Sequence, residues 1–229
     1  MNKIFKALIL SLLIFSACKD KQSDTKVVVE QTENKTNDTK ESTEQSSKKI
    51  LCFGNSLTAG YGLDEQFAWP TLLQQRIDSL NFDYQVINAG LSGETTSGGL
   101  KRIDWVLREP IDIFILELGA NDMLRGLDIS STVENLRSII SRVKTKYPDA
   151  QVVVAGMLSP PNMGPDYEKK FNTMYKDLSD EFNTTLIPFF LDKVAGIEKL
   201  NLPDGKHPNQ EGQKIVLETV WIHLKSLIA

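Results

Sequence analysis

The residues best suited to chemistry in this 229-residue chain are few, because it contains only two histidines, His207 and His223. Asp204 precedes His207 by three residues, so its carboxylate can orient the imidazole, a side chain that exchanges protons near neutral pH. Ser56 follows a glycine and an asparagine on a tight turn, where its hydroxyl can act as a nucleophile. Together these residues are candidates for nucleophilic catalysis, with His207 as general base. His223 has no polar companions in its helical segment, and we interpret it as an ordinary helix residue.

A second group of residues could stabilise the negative charge that develops in such a reaction. The backbone N–H of Ser56, the backbone N–H of Gly93 and the side-chain amide of Asn121 are candidate donors to an oxyanion. Taken singly, each polar block favours a structural role, since serine after a strand often caps a helix and Gly-Asn-Asp often forms a turn. The expectation of chemistry therefore rests on these blocks coming together in the fold.

The elements that must position these residues alternate between strand and helix. Short apolar runs predict five strands, at residues 50–54, 84–88, 112–118, 151–158 and 185–190. Helical spacing predicts the intervening helices, one of them starting at a capping box of Ser131 and Glu134, and a closing helix over residues 210–228. This alternation predicts a three-layer α/β domain with a central five-stranded parallel sheet. Most candidate residues follow the carboxyl end of a predicted strand, where such sheets place their active sites.

The first 49 residues are not expected to belong to the fold. Residues 1–17 combine two lysines with an apolar run too short to cross a bilayer, which is typical of a signal peptide. The segment Phe15-Ser16-Ala17-Cys18 resembles a bacterial lipobox, so we expect Cys18 to carry lipid, and a plain secreted protein is the alternative. Residues 18–49 are predicted to form a disordered polar tether, because seven lysines, seven acidic residues and only three valines cannot bury a core.

The composition excludes several other classes of protein. A formal net charge of −4 lacks the basic footprint of a nucleic-acid-binding protein. Two cysteines exclude a disulfide scaffold and, with only two histidines, argue against a zinc cluster. Cys52 lies within an apolar run and is interpreted as a buried, inert thiol. The predicted chemistry requires neither a metal ion nor an organic cofactor.

Four sequence blocks resemble those of the SGNH hydrolases, also called GDSL esterases. The four naming residues of that family correspond in order to Ser56, Gly93, Asn121 and His207. Further matches resemble the bacterial periplasmic thioesterase/lysophospholipase/arylesterase branch: Ala59-Gly60-Tyr61, Ala68-Trp69-Pro70, Glu117-Leu118-Gly119, Asn121-Asp122, Leu124-Arg125-Gly126 and Ile187-Pro188-Phe189-Phe190. The resemblance covers residues 50–229. It departs at Asn55, where the family has aspartate, and this change keeps the hydrogen-bonding shape but removes a charge.

The resemblance implies a flavodoxin-like fold and hydrolysis of esters or thioesters of the arylesterase, acyl-CoA thioesterase or lysophospholipase kind. It implies a triad of Ser56, His207 and Asp204 that works through an acyl-enzyme. It also implies an apolar groove for the acyl chain, beside Met123, Leu124 and Leu127, although a packed loop would have the same composition.

Two other functions stay open on the sequence alone. A carbohydrate O-deacetylase of the same fold would use the same catalytic residues, because selectivity for acetyl groups depends on the depth of the groove. A non-catalytic surface-binding module is the second alternative, and the joint presence of Ser56, Asn121, Asp204 and His207 argues against it. The physiological acyl donor and the oligomeric state are not determined by the sequence.

The resemblance also bears on localisation. Under bacterial lipoprotein sorting rules, Lys19 rather than aspartate after Cys18 favours the outer membrane. We therefore expect a lipid-anchored protein of the bacterial cell envelope that faces the periplasm. The expected partners are a membrane, reached through the anchor, and a small-molecule or lipid acyl ester, and they do not include nucleic acid.

Overall fold

The computed structural model describes residues 47–228, in which strands and helices alternate. The strands are β1 (Lys48–Gly54), β2 (Tyr84–Gly90), β3 (Ile113–Glu117), β4 (Gln151–Ala155) and β5 (Thr185–Ile187). The α-helices are α1 (Ser56–Ala59), α2 (Trp69–Ser79), α3 (Thr96–Val106), α4 (Ala120–Leu124), α5 (Ile129–Lys146), α6 (Pro165–Phe182) and α7 (Gln210–Leu224). Short 3₁₀ turns occupy Glu65–Phe67 and Glu198–Leu200.

The five strands form one parallel sheet in the order β2-β1-β3-β4-β5. The connection from β1 to β2 runs in one direction across the sheet, and all later connections run in the other. Because parallel crossovers are right-handed, this reversal puts α2 on one face and α3, α5 and α6 on the opposite face. Helix α7 packs against α2, while α3 packs on α5 and α5 on α6. The predicted three-layer fold with a central five-stranded parallel sheet is confirmed.

The core lies in the two central strands and the helix faces that cover them. Strands β1 and β3 are covered on both sides, so their residues form nearly continuous apolar runs rather than an alternating pattern. The ring of Phe53 packs against that of Phe114 across this core, with centroids 5.6 Å apart. Cys52 is buried there as a free thiol, as the sequence predicts, and burial raises the pKa of its thiol.

Several predicted boundaries are wrong. β1 begins at Lys48, so Lys48 and Lys49 belong to the sheet and not to the predicted tether over residues 18–49. Charged side chains are not typical of a buried strand, so the sequence did not predict this part of β1. Lys49 forms an ion pair with Glu109 instead of entering the core. β5 ends at Ile187 because Pro188 has no N–H to donate to a neighbouring strand. β4 ends at Ala155 rather than at residue 158.

The predicted start of α5, the long helix between β3 and β4, is also wrong. The capping box of Ser131 and Glu134 does not form, because α5 begins earlier, at Ile129. Asp128 is the N-cap, and its carboxylate accepts the backbone N–H of Ser131 at 2.8 Å. Glu134 instead pairs with Arg137 one turn further on. With this earlier start, Ile129 is buried in the core, and the Ser131 and Glu134 motif contains no information about that burial.

The predicted signal peptide, the lipidated Cys18 and nearly all of the predicted tether lie outside the described residues. Within residues 47–228, no helix has the length and apolar character needed to cross a membrane. The fold therefore bears on the predicted catalytic site, and the predictions for the first 46 residues stay predictions.

Candidate active site

Ser56 stands on a sharp turn between β1 and α1. Asn55 caps α1, and its side-chain oxygen accepts the backbone N–H of Leu57 at 2.9 Å. Gly60 closes the helix in a left-handed conformation at φ 74°. Gly54 is needed for the tightness of the turn, because a Cβ at this position would lie 2.1 Å from Oγ1 of Thr58. The turn holds the Ser56 side chain at the carboxyl end of β1, where it remains 8% exposed.

His207 and Asp204 approach Ser56 from the loop that precedes α7. The Ser56 hydroxyl lies 2.9 Å from Nε2 of His207, and Nδ1 of the same ring lies 2.6 Å from Oδ2 of Asp204. When Nδ1–H donates to the carboxylate, Nε2 is free to accept the hydroxyl proton. The structure thus joins Ser56 to His207, which lies 151 positions later in the chain, and through His207 to Asp204, in one hydrogen-bonded line.

The Asp204 carboxylate is held in its ionised form by several donors. It accepts the backbone N–H groups of Lys206 at 2.9 Å and of His207 at 3.1 Å, in addition to the imidazole. These hydrogen bonds, led by the one from Lys206, lower the pKa of Asp204 to about 2. The ring of Tyr61 packs against the other side of the site, with its centroid 4.5 Å from that of His207.

The predicted oxyanion donors belong to α1, to α4 and to the loop after β2. The N–H of Ser56 lies in the first turn of α1, where helical N–H groups have no intrahelical acceptor. The side-chain amide of Asn121 donates one hydrogen to the carbonyl of Glu94 at 2.9 Å, which ties α4 to the loop after β2 and leaves the second hydrogen for another acceptor. Gly93 lies in that same loop at φ 81°, and its carbonyl accepts from Arg125 at 2.6 Å.

A cavity of about 320 Å³ opens beside the serine and the histidine. Met123 and Leu124 line it, as the sequence predicts, but Leu127 does not. Leu127 is carried away because Gly126 turns the chain at φ 62° and the N–H of Leu127 returns to the carbonyl of Asp122. Gly93 is likewise absent from the lining residues.

The remaining apolar wall of the cavity was missed by sequence reasoning. Leu57 and Ala120 form part of this wall. The rest of it follows β4 and β5 and consists of Met157, Leu158, Phe189, Leu191 and Ala195. The carboxyl-end rule that singled out the polar blocks applies equally to these apolar residues, so it could have found most of them. Larger depressions, up to about 570 Å³, lie elsewhere on the described surface, but neither Ser56 nor His207 lines them. The reactive groups, not the volume, therefore identify this cavity as the candidate site.

Comparison with known proteins shows the family of the chain. The profile of the GDSL-like Lipase/Acylhydrolase family matches residues 52–215, which contain every residue of the hydrogen-bonded line. The chain belongs to this family. It is therefore a GDSL-type hydrolase, and the resemblance seen in the sequence is confirmed.

Individual relatives of this GDSL hydrolase share most of its length. Esterase TesA of Pseudomonas aeruginosa is 37% identical over 184 residues, which cover 80% of this chain and 90% of that protein. Thioesterase 1/protease 1/lysophospholipase L1 of Escherichia coli K12 is 34% identical over 180 residues, or 78% of this chain and 84% of that protein. A crystal structure of TesA has a TM-score of 0.75 at 38% identity, covering 79% of this chain and 99% of that one.

The GDSL hydrolase also buries carboxylates behind the site. Glu117 ends β3 directly beneath the serine turn, and burial raises its pKa to about 8. Asp122 accepts both the backbone N–H and the hydroxyl of Thr96, at 2.9 Å and 2.6 Å, which joins α4 to the start of α3. Among the described residues, no group of three or more histidine, cysteine or acidic side chains is arranged to hold a metal ion.

Proposed function

We propose that this hydrolase cleaves carboxylic ester or thioester bonds of acyl substrates through a Ser56-His207-Asp204 triad and an acyl-enzyme. The observation that carries the proposal is the unbroken line of two hydrogen bonds, at 2.9 Å and 2.6 Å, that runs from Ser56 through His207 to Asp204. In this line the imidazole can take a proton on one nitrogen while the carboxylate stabilises the cation that results.

The proposed reaction proceeds in two halves. His207 removes the hydroxyl proton as Oγ of Ser56 attacks the substrate carbonyl, and the oxyanion receives hydrogen bonds from the N–H groups of Ser56 and Gly93 and from Asn121. The tetrahedral species expels an alcohol, phenol or thiol, which His207 protonates. His207 then removes a proton from water as the water attacks the acyl-enzyme. His207 returns the proton to Oγ of Ser56, which releases the acid and restores the serine.

The apolar wall of the cavity supports acyl chains as substrates. The cavity beside Ser56 is lined by several apolar side chains, those of Met123, Leu124, Met157, Leu158 and Phe189, which suit an acyl chain better than a sugar. The names of the relatives, which include esterase and thioesterase/lysophospholipase, support the same bond types. An ester series from acetyl to long acyl chains, with matched coenzyme A thioesters, tests this substrate class. A strict preference for acetyl groups would instead favour the carbohydrate O-deacetylase.

The nucleophile is tested by replacement and by labelling. Ser56→Ala should lower kcat by about 10⁶, the scale seen when a triad serine is removed. A serine-directed phosphonate should form one adduct, which peptide mass spectrometry should find on Ser56. Near-normal activity of Ser56→Ala, or an adduct on another serine, would overturn the assignment.

We further propose that Cys18 is lipidated and holds the enzyme at the bacterial outer membrane, facing the periplasm. The lipobox-like segment before Cys18, and Lys19 after it, support this proposal. A metabolic lipid label should mark the wild type, and Cys18→Ser should abolish the label and release the protein from membranes. Equal membrane retention of both proteins would contradict the anchor.

A further inference from the structure

Behind the Ser56 side chain lies a buried polar cluster formed by Asn55, Thr58 and Glu117, each no more than 1% exposed. The Glu117 carboxyl makes three hydrogen bonds with the turn. It accepts the backbone N–H of Asn55 at 3.1 Å and its side-chain Nδ2 at 2.6 Å, and its third partner, at 2.9 Å, is the Thr58 hydroxyl, which can accept the proton of a protonated carboxyl. The carboxyl at the end of β3 therefore binds the residues on both sides of the nucleophile, Asn55 before it and Thr58 after it.

The other end of the Asn55 amide faces the reactive residue. Its Oδ1 accepts the N–H of Leu57 at 2.9 Å and lies 3.3 Å from Oγ of Ser56. A rotated amide would set Nδ2 against the N–H of Leu57 and Oδ1 against the Glu117 oxygen, so donors would face donors and acceptors would face acceptors. Glu117 and the N–H of Leu57 together determine which end of the amide is presented to Ser56.

The space around this cluster is equally restrictive. A Cβ on Gly54 would lie 2.7 Å from the Glu117 carboxyl and closer still to Thr58, so the backbone passes directly over the carboxyl. Gly54 pairs in register with Glu117 across the sheet. Because the interior is close-packed, the serine turn cannot shift without breaking one of the three hydrogen bonds.

We propose that Glu117 is a positioning residue for the nucleophile, acting through the side chain of Asn55. The inference rests on the proposed role of Ser56 as nucleophile. Glu117 touches no reacting atom in this role. It holds the Asn55 amide in the orientation whose oxygen caps α1, and so sets the direction from which the Ser56 hydroxyl meets His207.

The donors and acceptors on these two side chains suggest a test in which the acid and the amide exchange positions. In Glu117→Gln, the new amide nitrogen carries two hydrogens, and in either rotamer one of them points at a donor of Asn55. In the double variant Asn55→Asp with Glu117→Gln, the Gln nitrogen donates to one Asp oxygen and the other Asp oxygen still caps α1. The acid and the amide have exchanged places, and the side chains at positions 55 and 117 again face each other as donor and acceptor.

The measured quantities are kcat, KM and the rate at which a phosphonate modifies Ser56. Glu117→Gln should lower kcat and the modification rate by roughly 10- to 100-fold with little change in KM, since a misplaced nucleophile costs rate rather than binding. Adding Asn55→Asp should restore both to within about threefold of wild type. A matched control is Gln213→Glu, an exchange of the same size at a buried amide that hydrogen-bonds the Trp69 backbone. It should lower the melting temperature and leave the modification rate unchanged.

Three results would overturn the inference. One is a Glu117→Gln enzyme that is modified at the wild-type rate, and another is a double variant that is no faster than Glu117→Gln. A rate loss in Gln213→Glu that matches its loss of stability would also count against it, because the effect would then follow stability in general. If the wild-type adduct is not on Ser56, the proposed nucleophile fails instead, so the two failures are distinguishable.

Discussion

At the scale of the residue, the side chains proposed for catalysis already use some of their hydrogens and lone pairs in structural hydrogen bonds. The Asn121 amide has two hydrogens, and one of them is used to hold the loop after β2 through the carbonyl of Glu94. Asp204 has its oxygens engaged by two backbone N–H groups and by His207. Each of these side chains therefore combines a structural bond with a proposed catalytic one, and substitution can separate the two.

The contribution of Asn121 is tested with two substitutions. If its amide stabilises the oxyanion, Asn121→Ala should lower kcat by roughly 10²- to 10³-fold with little change in KM. Asn121→Asp keeps the shape but puts an acceptor where negative charge develops, so it should be at least as inactive. Loss of a turn contact alone would cost about 1 kcal/mol of stability and leave kcat within a few-fold. Folded Asn121→Asp enzyme with more than about a tenth of wild-type kcat would remove Asn121 from the oxyanion hole.

The pKa of Asp204 makes a prediction about acid stability. Its pKa falls from the ordinary 3.8 to about 2 in the folded chain, so its contribution is present above pH 3.8 and is lost as the pH falls through about 2. The difference in unfolding free energy between wild type and Asp204→Asn should therefore shrink over that window. Denaturant titrations at successive acid pH values measure it. Because Asp204 is exposed, added salt should reduce the difference, and a difference independent of pH would contradict the assignment.

At the scale of the element, the ends of three adjacent strands assemble the site. Gly54 of β1 is level with Gly90 of β2 on one side and with Glu117 of β3 on the other. Helix α1 lies across the end of β2, because Gly90 leaves room for its backbone. The nucleophile is thus held between two strands that neighbour its own, and the site depends on the register of the sheet.

This close approach predicts the effect of Gly90→Ala. The added Cβ would lie 2.2 Å from the backbone nitrogen of Ala59, and a backbone contact cannot yield as a flexible side chain does. We expect a loss of about 1–3 kcal/mol in stability, together with reduced phosphonate modification of Ser56 as α1 is displaced. Gly196→Ala is the control, since its Cβ meets no atom within 4 Å and only its φ of 73° is strained. Similar modification rates in wild type and Gly90→Ala would show that β2 does not position α1.

At the scale of the whole molecule, the sheet carries a buried acid at its centre. Glu117 ends β3, which lies between β1 and β4 in the middle of the sheet. Its hydrogen bonds to Asn55 and Thr58 of the serine turn lower its pKa, but desolvation is the larger influence and raises it. The group that organises the serine turn is therefore also one that links global stability to pH.

The pKa of Glu117 predicts the direction of that link. With a folded pKa of about 8 against an ordinary 4.5, the native state retains a proton that the unfolded chain releases. The stabilisation is complete below pH 4.5 and is lost as the pH rises to about 8, by at most ~1.4 kcal/mol per pH unit. Urea unfolding of wild type and Glu117→Gln between pH 5 and 8 should show this slope in wild type alone. Parallel pH profiles would show that Glu117 titrates normally.

The sequence by itself determined the order of strands and helices, the family and the residues of the hydrogen-bonded line. Apolar runs such as the one in β1 report burial locally, and Ser56, Asn121 and His207 stand in short motifs that can be read without a structure. The joint appearance of several such motifs in a set order is specific in a way that no single motif is. The boundaries that failed are those where local signals mislead, as at the charged start of β1 and the cap of α5.

Only the tertiary structure decided which side chains share the cavity and which groups hold the nucleophile. Leu127 belongs to the segment singled out by the resemblance but turns away, while Phe189 and Leu191 enter from beyond β5. Glu117 and Asn55 are 62 residues apart, and no local pattern announces their hydrogen bonds. The physical reason is the same in both cases. Burial and hydrogen-bond partners are properties of the packed sheet, which brings distant segments level with one another, and the periodicity of one segment carries no record of its neighbours.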